Sequence, residues 1–204
     1  MRILSIVLLI LCSTFAAANE VDMSNPNQVI HSVSINTFAR INAEKEHLQE
    51  EPDYIQVVIE EELLPYFDYK YAAYKVMGSH LKETSKVQRN DFVNAFRTYL
   101  VNAYGNILFK YDQQQIEILD NTHFTDKKIV SIPVRIRDKN EQLTQLAFKL
   151  RKNKKTGEWK VFDVIAEGIS MLNTKQSEIN DLIKKKGINH VIQLLEKKNS
   201  EFSS

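Results

Sequence analysis

The sequence predicts an α+β protein, with N-terminal helices, a four-stranded antiparallel meander and C-terminal helices. Three observations carry that prediction. Apolar residues recur every three or four positions up to about Tyr111, they alternate every second position through the strands from Ile116 to Leu150, and the helical spacing returns after Thr174. Pro and Gly punctuate the changes, and no repeat or long linker interrupts the order.

The first helix is predicted after Asn25-Pro26, which supply an N-cap and a first helical residue, with Val29, Ile30, Val33, Thr37, Phe38 and Ile41 on one face. Tyr54 to Leu64 forms a second, started at Pro52-Asp53 and stopped at Pro65. Thr84 or Ser85 caps a long third helix, whose apolar positions run from Val87 through Phe92, Phe96, Leu100 and Tyr104 to Leu108.

The strands follow. Ile116 and Ile118 alternate with polar residues, and Val130, Ile132, Val134 and Ile136 form an inward face opposite Ser131, Arg135 and Arg137. Asp138 to Glu141 turns the chain, and Leu146, Phe148 and Leu150 supply the next inward face. After Thr156-Gly157, Glu158 to Ile165 is apolar on both sides, with Trp159, Val161 and Ile165 on one face and Phe162 and Val164 on the other. Pro133 cannot donate a ladder hydrogen bond, so it marks an edge or an outward position. Thr174 to Lys186 and Ile188 to Lys198 form two amphipathic helices broken at Gly187.

Ahead of these elements, Met1-Arg2, the apolar run Ile3 to Leu11 and Ala16-Ala17-Ala18 have the order of a secretory signal, so residues 1–18 are expected to be removed and 19–204 to form one domain. Cys12, the only cysteine, follows Leu11 rather than the small residue a lipoprotein signal requires, which favours a soluble mature chain without disulfides or thiolate chemistry. Removing Arg2 leaves 26 basic residues (27 minus 1) against 26 acidic ones, a balance that argues against nucleic acid as a partner.

Catalytic and metal motifs are weak. Gly168-Ile169-Ser170-Met171 lacks the second glycine of a nucleophile elbow. His31, His47, His80, His123 and His190 are never spaced as metal ligands. Glu60-Glu61-Glu62 point in different directions on a helix, and Lys149, Arg151, Lys152, Lys154 and Lys155 read as a solvated strand end. The aromatic run Tyr66, Phe67, Tyr69, Tyr71 and Tyr74 suits a core more readily than a cavity.

Three stretches carry a resemblance. They are Glu51-Pro52-Asp53-Tyr54 with Glu62-Leu63-Leu64-Pro65-Tyr66 and Lys70-Tyr71-Ala72; Gln88-Arg89 with Phe96-Arg97-Thr98-Tyr99-Leu100 and Ala103-Tyr104-Gly105; and Thr156-Gly157-Glu158-Trp159 continuing to Thr174-Lys175-Gln176. In this order the chain resembles the MlaC family of periplasmic phospholipid-binding proteins, also known for toluene tolerance. The resemblance implies a fold whose sheet and helices enclose an apolar pocket for acyl tails. It also implies a soluble periplasmic carrier that shuttles a phospholipid between an outer-membrane lipoprotein–porin complex and an inner-membrane ABC-type transporter complex, maintaining outer-membrane lipid asymmetry, with no catalysis and no cofactor beyond the carried lipid. Carried over to matching positions, Tyr104 and Ile169 become tail contacts. Strand alternation adds Ile132, Val134 and Phe148, and proximity in the expected fold adds Val76, Phe96, Leu100 and Ile165. Lys75 stands where the family pattern is apolar, so either its ammonium snorkels out of the pocket mouth or that segment does not line the pocket.

A carrier fits the physics. Two acyl tails hold roughly 30 methylenes, whose exposure costs ~20–25 kcal/mol at ~0.8 kcal/mol each, so an apolar pocket replaces the bilayer during transit. Two other readings remain: a small-molecule enzyme of a cone-shaped α+β fold, with Asp163 as its one strand carboxylate, and an adaptor whose apolar faces all pack on one another. Glu167 and the basic region around Arg151 are candidate docking elements.

Overall fold

The computed structural model describes residues 21–109, 115–120 and 123–202; the expected signal segment, 1–18, lies outside them. Helix α1 (Pro26–Ala43) opens as the sequence predicts, with the Asn25 side chain accepting from the backbone N–H of Asn27 and Gln28. A short α2 (Lys45–Glu50) and a 3₁₀ turn at Pro52–Tyr54 lead into α3 (Ile55–Glu62). Helix α4 (Tyr69–Met77) is capped by Asp68, whose side chain accepts from Tyr71 N. The long α5 (Lys86–Phe109) starts at a reciprocal box in which Gln88 N donates to Ser85 Oγ and Ser85 N to Gln88 Oε1.

The sheet holds five strands in the order β1-β2-β3-β4-β5, all antiparallel: β1 (Gln115–Ile118), β2 (Ile129–Arg137), β3 (Leu143–Lys152), β4 (Trp159–Ala166) and β5 (Ile169–Ser170). The predicted meander of four therefore gains a two-residue fifth strand, formed as the chain doubles back through Glu167 and Gly168 (φ 48° and 80°) into α6 (Met171–Lys186). Gly187 (φ 80°) ends α6, and α7 (Ile188–Glu201) completes the chain. Pro133 is exposed on β2, just beyond the end of β1, where its carbonyl accepts from Leu119 N.

One departure from simple alternation decides which side chains face inward. Cross-strand partners share a face, and β4 pairs Val161 with Leu150 but Val164 with Phe148 and Ala166 with Leu146. The register shifts at Lys149/Leu150, so an extra residue enters β4 and its parity reverses there. Val164 and Ala166, rather than Ile165, continue the face begun by Trp159 and Val161. Phe162 turns instead to the helices, where Tyr71 meets its ring edge-on at 5.2 Å.

Two layers of core result. Helices α4 to α7 pack on one another around Val76, Met77, Phe92, Phe96, Ile179 and Val191, with Phe92 and Phe96 stacked at 5.9 Å. Helix α1 lies across the other side of the sheet, where Val29, Ile30 and Val33 meet Val130, Ile132, Leu150, Trp159 and Val161. Helix α3 closes against α5 at Gly105, where a Cβ would come within 3.3 Å of Ile55 Cγ2.

Candidate functional site

Between α1, α3, α5 and the inner sheet face lies a cavity of about 330 Å³. Helix α1 lines it with Val29, Ile30, Val33, Ser34, Thr37 and Phe38, an arc spanning about half the helix circumference at 100° per residue. Helix α3 and the turn after it contribute Ile59, Leu63, Leu64, Tyr66 and Phe67, and α5 contributes Leu100, Val101, Tyr104, Ile107 and Leu108. The sheet adds Ile116, Val134, Ile136, Leu146, Phe148, Val161, Val164 and Ala166, and Met171 joins from the start of α6. No charged side chain is among the described lining residues.

The cavity has direction. Val29, Ile30 and Val161 are buried where α1 meets the ends of β3 and β4 near the hairpin between them. At the opposite strand ends Ile107 and Met171 line the same space yet are 65% and 42% exposed, which marks the mouth. The Phe67 and Tyr104 rings meet tilted at 57°, with centroids 6.0 Å apart. Burial, with the nearby charge of Asp163 and the Tyr99 ring, pushes the Tyr104 phenol well above its ordinary value, so it is neutral throughout the physiological range.

Of the residues expected at the pocket, Leu100, Tyr104, Val134 and Phe148 line this cavity, and the others lie elsewhere. Val76 and Phe96, expected from proximity in the family fold, are fully packed in the helical layer, where neighbouring helices rather than open space cover them. Ile132 is on the inner face of β2 but is covered by α1. Ile165 is turned off the inner face by the bulge, and Ile169 is 59% exposed beside the mouth. Lys75 is exposed, and α4 supplies no lining residue, so its segment does not line the pocket. From sequence, α1 is an amphipathic helix with no assignment to the cavity wall, and Tyr66 and Phe67 suit a core. The breadth of the α1 arc, with two hydroxyl residues inside it, was the available signal.

The catalytic candidates are occupied by structure. Asp163 is buried, accepting from Ser170 Oγ at 2.8 Å and Leu172 N at 3.0 Å, and Ser170 Oγ accepts from Asn173 N at 3.0 Å. Together they cap α6. Among the described residues no group of three or more His, Cys, Asp or Glu could hold a metal ion, and no helix is long and apolar enough to cross a membrane. Of the candidate docking elements, Glu167 is tied to the sheet, its Oε1 accepting from Gln145 N at 2.6 Å. Arg151 is paired with Asp68 and lies 4.2 Å over the Tyr71 ring.

Fold and site together define an α+β protein built around a cavity with apolar described walls that opens at one end of its sheet, the form of a binding protein for an apolar ligand. The MlaC protein family model matches residues 31–197, and the chain belongs to that family. It is 29% identical over 198 residues to the intermembrane phospholipid transport system binding protein MlaC of Haemophilus influenzae, covering 97% of this chain and 92% of that one. It is 24% identical over 181 residues to toluene tolerance protein ttg2D of Pseudomonas putida, covering 88% and 82%. A phospholipid-binding protein from Ralstonia solanacearum, solved in complex with a phospholipid, has the same fold, with a TM-score of 0.79 and 17% identity over 88% of this chain and 99% of that one.

Proposed function

We propose that the chain is a soluble periplasmic carrier that holds the acyl tails of a phospholipid in this cavity and passes it between the two membranes of a Gram-negative envelope. The observation that carries the reading is a cavity with no charged side chain among its described lining residues and an apolar mouth at Ile107 and Met171, in a member of the MlaC family. Relatives named for intermembrane phospholipid transport, and a structural neighbour holding a phospholipid, support it. Residues 1–18 serve as the export signal, and donor and acceptor are an outer-membrane lipoprotein–porin complex and an inner-membrane ABC-type transporter, so that outer-membrane lipid asymmetry is maintained. The chemistry requires no reacting side chain. The cavity substitutes for the bilayer interior, the transfer free energy at each end stays small, and lipid can be both taken up and released.

Native mass spectrometry of the exported chain tests this. A stoichiometric phospholipid adduct, confirmed by extraction, is the expected result. A mass that stays at the apoprotein value after incubation with phospholipid vesicles overturns the proposal.

A further inference from the structure

Among the described lining residues, Thr37 is the one whose side chain carries a buried polar atom without a partner. Its Oγ1 makes no hydrogen bond, and the residue is 2% exposed. A helical threonine ordinarily back-bonds to the carbonyl three or four residues earlier, and Thr37 does not. A hydroxyl left in this condition is costly unless a ligand completes it.

Its position indicates which part of a ligand could do so. Val29, Ile30 and Val33, earlier on the same helix, pack with the deep end of the sheet, whereas Phe38 and Leu108 share a cluster beside Ile107 at the mouth. Thr37 therefore lies between the buried and the open parts of the cavity, with Ser34 one turn before it on the same wall. In a phospholipid whose phosphate stays in water and whose tails run inward, the polar groups at that depth are the two ester carbonyls. They accept hydrogen bonds and cannot donate; a hydroxyl supplies the donor.

We propose that in the loaded protein the Thr37 hydroxyl donates a hydrogen bond to an ester carbonyl of the bound lipid, so that the site selects ester-linked diacyl phospholipid over its ether-linked counterpart. The proposal rests on the carrier reading and adds a residue that sets lipid depth and linkage preference. The proposal requires a rotation about the Thr37 Cα–Cβ bond that turns this enclosed hydroxyl toward the cavity.

The experiment compares dioleoyl phosphatidylglycerol with the dialkyl ether lipid of the same headgroup and chain length, by competition for delipidated protein. Wild type is expected to favour the diester by about 3- to 10-fold, the range of one net hydrogen bond. Thr37→Ser keeps the preference, and Thr37→Val binds both lipids equally. The empty Thr37→Val protein is expected to melt no lower than wild type, because it loses only an unpaired hydroxyl. Equal binding of both lipids by wild type, or a preference that survives in Thr37→Val, overturns the proposal while leaving the carrier reading intact. Failure of folded wild type to bind either lipid overturns both.

Discussion

Val134 and Ile132 lie two residues apart on the same inner face of β2, yet only Val134 borders empty space. Enlarging each to Phe therefore has opposite consequences. In Val134→Phe about four additional carbons enter the cavity; at ~0.8 kcal/mol per carbon the ceiling is ~3 kcal/mol, and imperfect fit brings the gain to the ~0.5–2 kcal/mol usual for cavity filling. For a chain of this size that raises the melting temperature of the empty protein by roughly 2–6 °C. The same carbons displace a similar length of acyl tail, weakening lipid binding by ~3 kcal/mol, or about 100- to 200-fold. In Ile132→Phe the added ring meets α1 in a filled core, at a cost of ~1–3 kcal/mol and a fall of roughly 3–10 °C. Calorimetry of delipidated protein and vesicle-loaded native mass spectrometry read the two effects separately. If Val134→Phe melts as low as Ile132→Phe and loads lipid like wild type, the space beside Val134 is not where the tails lie.

Three further outcomes follow from the structure. Above pH ~10 the phenol of Tyr104 ionises in the unfolded chain but stays protonated in the fold, so stability present below that pH falls as pH rises, by up to ~1.4 kcal/mol per unit; Tyr104→Phe should flatten this limb in urea titrations at pH 9 and 11, and an unchanged slope would refute the assignment. Asp68→Ala removes both the α4 cap and the partner of Arg151, and is expected to cost ~2 kcal/mol in urea unfolding, against little change for an exposed carboxylate such as Glu178. Arg40 ties α1 to α3 through Glu61 at 2.6 Å and Glu62 at 3.1 Å, with Glu44 at 3.0 Å just past the end of α1; Arg40→Ala should cost about 1 kcal/mol at low salt and less at 1 M, and a salt-independent loss would point to packing instead.

How far the site could be read from the chain depended on what kind of information each residue carries. Alternation along β2 places Val134 on the inner face, and period alone suffices for that. It places Ile132 there equally well, and only the position of α1 distinguishes a packed side chain from one bordering a void. Ile165 failed for another reason: a bulge is one residue of backbone conformation, with no signature in the Trp159–Ala166 string, and it exchanges the faces of everything beyond it. Phe96 sits on the apolar face that period assigns to the long helix, but a helix face records that it is covered and not by what; Val76 entered only through the expected family fold. The helix limits were legible because caps are chemical. Asn25-Pro26, Ser85 with Gln88, and Gly187 act where the sequence puts them.

The walls of the cavity are also separated in time. Synthesis delivers α1 first, but the strands it covers begin 86 residues later (129 minus 43) and end with β4 at Ala166. The 123 residues from Ala43 to Ala166 must follow α1 before Val29, Ile30 and Val33 have a sheet to meet. The meander itself needs only neighbouring strands, and α6 and α7, which follow it in the chain, pack on α4 and α5, which precede it. Closure by α1 spans the longest loop in the molecule and comes late, so the first third of the chain is the part most in need of a holding chaperone.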